Sequence, residues 1–160
     1  LSPQSLFLQE QPLKIPYNAG GYQNYYFPDL AVLTKNGRCI VVEVKLGWHF
    51  VLEISLRKTL AAIDFLHPKG IAFVMLDSRG QSLRNFPIIN NSVISREKKL
   101  LRALDKYGDL KYIQYKHFLN GDLFSTREFV GFIVRNDLSF SLKPFNLTRL
   151  PKGLSFSSLI

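Results

Sequence analysis

Two carboxylates and an ammonium interrupt stretches that are otherwise apolar. Asp29 follows Tyr25-Tyr26-Phe27-Pro28 and precedes Leu30-Ala31-Val32, while Glu43 and Lys45 break the run from Ile40 to Leu46. Residues two apart in a strand share a face, so Glu43 and Lys45 are expected on one side and Val44 on the other. Between the two stretches lies Asn36-Gly37, the strongest short hairpin signal in the chain. A hairpin there sets Asp29 across from the Glu43–Lys45 end. Three charges gathered at one sheet edge are costly unless they bind one another or a metal. Carboxylate oxygens suit a hard divalent cation, so Mg2+ is the expected cofactor, with Mn2+ substituting.

The elements that must hold these residues follow from periodicity. Leu6 to Tyr17, with Pro12 and Pro16, reads as an edge strand or extended arm. Asn18-Ala19-Gly20-Gly21 reads as a turn, and Tyr25 to Thr34 as a strand despite Pro28. Cys39 to Lys45 is a nearly all-apolar strand suited to burial on both faces. Gly47 ends it, and a helix is expected within Val51 to Leu66, with Leu52, Leu56, Leu60 and Ile63 on one face. Pro68 and Gly70 stop the helix, and Ile71 to Leu76 reads as another buried strand, closed by Asp77-Ser78-Arg79-Gly80. Strands broken by a crossover helix indicate a mixed α/β sheet.

The character changes near Asn90-Asn91, so residues 1–91 are expected to form the core that holds the charged residues and residues 92–160 a smaller, mainly helical part. Ser95 suits an N-cap for a helix carrying Leu100, Leu101, Leu104 and Tyr107, stopped by Gly108. A short helix is expected over Leu110 to Phe118, and a third starts at the capping box Ser125-Thr126-Arg127-Glu128. Leu138 to Leu142 alternates as a half-buried strand does. Three short helices and a strand make a winged-helix-like pattern. The chain carries 21 Lys+Arg against 12 Asp+Glu, a formal charge of +9. Residues 92–160 hold twelve basic and six acidic side chains against nine and six in residues 1–91. That excess points to a polyanionic partner, nucleic acid first, engaged mainly by the second half.

Pro-Asp, about a dozen residues, then Glu-x-Lys resembles the signature of the PD-(D/E)XK nuclease superfamily. The similarity covers roughly Leu6 to Leu76. It implies a restriction-endonuclease-like mixed sheet flanked by helices, and a metal-dependent endonuclease acting on DNA. Asp29 and Glu43 would ligate the metal with help from the main-chain carbonyl of Val44, and Lys45 would orient or activate the attacking water. Members of the superfamily often carry a further acidic residue before the first strand. Here Glu10 is the only acidic residue ahead of Asp29, so either it serves, or the residue lies upstream of Leu1, or there is none. Arg57 and Lys58 on the following helix are candidates for touching a phosphate. A nuclease core followed by a winged-helix-like part is similar in layout to the TnsA-type transposon-end endonucleases, which would connect the chain to transposition and DNA recombination.

Other chemistries find little support. Cys39 is the only cysteine, which rules out an intrachain disulfide and a thiolate-rich zinc site and fits a reducing compartment such as the cytoplasm. No apolar run approaches a membrane span, and Leu1 to Leu13 is too polar for a signal peptide. His49, His67 and His117 are scattered, though His49 falls only four residues past Lys45. Gly20-Gly21 lacks the Lys-Ser/Thr of a phosphate loop. A toxin-type nuclease cutting transfer RNA and a catalytically silent binding or assembly module remain as alternatives. A single metal-site nuclease cuts one strand at a time, so a double-strand break would need a homodimer or a partner protein.

Overall fold

Alternating burial, proline breaks and glycine turns divide the described residues into nine strands and four helices. The computed structural model describes residues 4–83 and 91–159; of the predicted transition at Asn90-Asn91, Asn90 lies outside them. The elements are β1 (Ser5–Glu10), β2 (Ile15–Ala19), β3 (Tyr22–Tyr26), β4 (Leu30–Thr34), β5 (Cys39–Val44), α1 (Glu53–Leu66), β6 (Ala72–Leu76), α2 (Asn91–Tyr107), β7 (Asp109–Lys111), α3 (Tyr112–Phe118), α4 (Thr126–Arg135), β8 (Leu138–Leu142) and β9 (Phe145–Arg149). The class is mixed α/β. No helix among the described residues is long and apolar enough to cross a membrane.

Two compact units emerge, one comprising Leu1–Leu46 and Ile54–Ser82, the other Gly47–Glu53 and Leu83–Ile160. The second therefore takes a short piece of chain from between β5 and α1. No shift in composition marks that piece.

In the first unit a four-stranded sheet runs β1-β4-β5-β6, antiparallel except for the β5–β6 pair. β2 and β3 form a separate hairpin. The strand expected over Tyr25 to Thr34 is thus two strands. Proline has no N–H to give to a ladder, and pairing stops on either side of Pro28. The arm expected from Leu6 to Tyr17 is likewise split, into edge strand β1 and hairpin strand β2. Gly20 and Gly21, both at positive φ, make the two-residue turn between Ala19 and Tyr22. At Asn36-Gly37 the loop is one residue longer: the Thr34 amide donates to the Arg38 carbonyl at 2.9 Å, and Gly37 takes the left-handed position.

The core of this unit joins Ile15, Tyr26, Val41, Ala62 and Leu66. Burial along β5 alternates: Val41 and Glu43 are buried, whereas Val44 is 44% exposed. The expected burial on both faces is therefore not met among the described residues. On α1 the buried positions are Ser55, Leu56, Thr59, Ala62 and Leu66. Leu60 and Ile63 are only partly covered, and Leu52 precedes the helix. Small side chains at 55, 59 and 62 allow a close approach, and the Thr59 hydroxyl lies 3.9 Å from the Met75 sulfur. Reading the large apolar residues alone places the face about a quarter-turn away.

In the second unit the order is helix, strand, two helices and a hairpin, with a sheet β7-β9-β8. α2 starts at Asn91, a turn before Ser95, and ends as expected, where Gly108 takes positive φ and its amide donates to the Leu104 carbonyl at 2.8 Å. The stretch read as a helix from Leu110 is strand β7 followed by α3, because Asp109–Lys111 pairs with Asn146–Thr148 of β9. Ser125 and Glu128 form the expected capping box on α4. The 3-10 turn Gly47–Val51 packs along α4, with Phe50 and Val51 fully buried.

Candidate active site

Where β4 begins, the break at Pro28 leaves the main chain of Asp29 unpaired with β5, and β5 carries Glu43 and Val44 just beyond the last ladder pair, Leu30 with Val42. The two strand ends clasp each other. The Asp29 amide donates to Glu43 Oε2 at 3.3 Å, and the Val44 amide donates to Asp29 Oδ2 at 2.7 Å. Each carboxylate is thereby held by the main chain beside the other. Lys45 Nζ forms an ion pair with Glu43 Oε1. The Lys45 amide donates to Leu76 of β6 at 2.8 Å. Successive peptide groups of a strand face opposite neighbours, so the amide and carbonyl of Val44 turn towards the Asp29 side.

Glu43 is 5% exposed. Burial pushes its carboxyl above the usual carboxylate range, against the hydrogen bond and charge of Lys45, while the neighbouring Asp29 charge adds to the rise. Glu43 is thus a buried acid whose charge Lys45 only partly offsets.

Tyr26 is a site residue that the sequence does not single out. It is 4% exposed, and its hydroxyl is buried without a hydrogen-bond partner among the described residues. Burial, then the charges of Glu43 and Asp29, push it well above the ordinary tyrosine range. It therefore stays a neutral donor near two carboxylates. Only its ring marks it in the sequence, where it reads as one aromatic among many.

The remaining candidates separate. Glu10 is exposed and in register with Leu30, which pairs with Val42, so its side chain belongs to the face away from Glu43. The structure does not bring it to the pair. Lys58 Nζ lies 5.6 Å from the ring centres of both Tyr17 and Tyr26, on the Tyr26 side of the site. Arg57, partly buried, projects about 100° further round α1. His49 stacks edge-on against Trp48 within the second unit. Among the described residues no third His, Cys, Asp or Glu joins Asp29 and Glu43 in a metal-ligand cluster.

This donor set fits a magnesium-like ion, which keeps several waters and takes one or two carboxylates. The Tyr26 hydroxyl is a polar group with a bond still to give, and it would be available to a carboxylate oxygen reoriented when a metal binds. Tyr26→Phe is expected to raise stability by about 1 kcal/mol, because it removes a buried unsatisfied hydroxyl. The same change is expected to weaken Mn2+ binding roughly tenfold, as loss of an outer-shell partner does. Thermal melting with and without Mn2+ measures both; a variant that loses stability without metal would show that the hydroxyl is already satisfied.

No protein-family model matches the chain, and no curated protein matches it in sequence.

Proposed function

We propose that this chain is a metal-dependent endonuclease of PD-(D/E)XK type, hydrolysing phosphodiester bonds in DNA. The reading rests above all on the reciprocal clasp of Asp29 and Glu43, with Lys45 paired to the more buried of the two carboxylates. It takes the first unit as a restriction-endonuclease-like core and the second as a winged-helix-like module, the layout that resembles transposon-end endonucleases of the TnsA type. The formal charge of +9 supports an anionic polymer as substrate.

Asp29, Glu43 and the Val44 carbonyl would hold Mg2+ or Mn2+. Such an ion supplies Lewis-acid polarisation of the phosphoryl oxygen and a water of lowered pKa. Lys45, paired with Glu43, would orient the attacking water and offset the charge that develops on the phosphate. Tyr26 stays un-ionised with a hydrogen bond still to give, and the buried setting of Glu43 would strengthen each of these interactions by excluding solvent.

Incubation with supercoiled plasmid, single-stranded DNA and transfer RNA, with and without Mn2+, tests the reading. Mn2+-dependent nicking of plasmid is the expected result. Cleavage of transfer RNA alone would establish the toxin-type alternative, and no cleavage of any substrate across divalent metals would leave a silent binding or assembly module.

A further inference from the structure

In a winged-helix-like module the second helix of the helix-turn-helix pair ordinarily enters the DNA groove. Here that helix is α4, and it is poorly placed to do so. Val130, Gly131, Phe132, Ile133 and Val134 are buried, and the turn Gly47–Val51 packs along it. Ser125, its cap, is engaged with Glu128. The second unit does expose a row of cations on α2.

Four positive charges of this unit are paired and four form the row, while Lys116, Arg127, Lys143 and Lys152 are exposed elsewhere on it. Arg96 is paired with Glu128 and Asp122, Arg135 with Glu97, Arg149 with Asp105, and Lys111 with Asp109. Lys98, Lys99, Arg102 and Lys106 are exposed and have no acidic partner among the described residues. At about 100° per residue these four fall within an arc of about 100° on α2, and the row from Lys98 to Lys106 is about 12 Å long. Val93, Leu100, Ala103 and Leu104 are buried on the opposite side of the helix. Asp105, at the edge of the arc, is answered by Arg149 at 2.8 Å.

We propose that this row, Lys98, Lys99, Arg102 and Lys106, is a docking surface for the phosphate backbone of duplex DNA. The inference rests on DNA being the substrate and adds the surface that holds it. Three alternatives fit less well. The apolar side of α2 is committed to the core of its own unit, so the helix cannot lie in a membrane interface. Besides the cations, the arc carries only Asn91 and Ser95, with Ser92 and Asp105 just outside its edges, so it lacks the apolar anchors of a protein interface. For the same reason it lacks rings on which the bases of a single strand could stack. Regularly spaced phosphates need neither.

Fluorescence anisotropy of a labelled random-sequence duplex, in EDTA so that no cleavage occurs, provides the test. Four phosphate contacts correspond to a slope of about 3.6 in log affinity against log salt, or roughly 150-fold between 50 and 200 mM. Lys98→Ser, Lys99→Ser, Arg102→Ser and Lys106→Ser combined should remove that dependence, whereas Lys143→Ser with Lys152→Ser should retain it. Circular dichroism checks that both variants fold. Unchanged affinity and slope in the fourfold variant would overturn the proposal. So would tighter binding of phosphatidylserine vesicles, polyglutamate or single-stranded DNA by the wild type. The nuclease reading fails separately, by absence of Mn2+-dependent nicking while duplex binding in EDTA persists.

Discussion

Glu43→Gln is expected to eliminate Mn2+-dependent nicking, by at least about 10^3-fold, while leaving the protein folded and no less stable without metal at neutral pH. The two halves of that expectation share one cause. Glu43 is 5% exposed, and its carboxyl is raised because burial outweighs the help of Lys45. A raised folded-state value favours the protonated form in the native protein. The stability Glu43 contributes is therefore present at low pH, and is lost as pH rises from the ordinary carboxylate range through the raised value. At neutral pH the native state bears an ionised group it would rather keep neutral, and Gln relieves that. On the proposed reading the same substitution removes a charged ligand, and loss of one fixed electrostatic group at a reacting centre alone costs about 10^2–10^3. Melting curves from pH 4 to 8 with EDTA or Mn2+ read the stability half, and plasmid nicking reads the rest. Wild-type stability without metal should decline with pH more steeply than that of the variant. Mn2+ should protect the wild type only.

Lys45→Met should separate binding from turnover. Removing the ammonium leaves Glu43 without the cation that pairs with it, so Mn2+ should bind at least as tightly as to the wild type. Nicking should nevertheless fall by about 10^2–10^4, the usual cost of losing a group that positions or transfers a proton. Without metal the variant should melt earlier at neutral pH, because a buried carboxylate has lost its partner, and saturating Mn2+ should restore it. Isothermal titration with Mn2+ and single-turnover nicking distinguish the two effects. Weakened Mn2+ binding together with full nicking would assign Lys45 to structure and not to chemistry.

The charged constellation was legible because a strand has a strict period of two and because proline punctuates it. Glu43 and Lys45 share a side by spacing alone, and Pro28 marks where Asp29 is released from pairing. Tyr26 was not legible: a buried hydroxyl beside carboxylates depends on the β2–β3 hairpin folding over β5, and nothing local distinguishes it from six other tyrosines. The α1 face was misplaced for a related reason, since Ser55, Thr59 and Ala62 are buried for their small size and not for their hydrophobicity. β7, three residues long, exists only because β9 is there to pair with it. The Ser125–Glu128 capping box and the Gly108 stop could be read directly, because each acts within a single turn of chain.

The loan of Gly47–Glu53 to the second unit bears on how such a chain could be exchanged or trimmed during evolution. A gene break after Ser82 would keep the first unit's strands and α1 together, yet it would strand Phe50 and Val51 on the wrong fragment, where the partners that bury them are missing. The fragment from Leu83 onward would lack the turn that packs along α4. Neither piece is a portable module with a single seam. The two units are interleaved along the chain, and the interleaving segment starts two residues after Lys45.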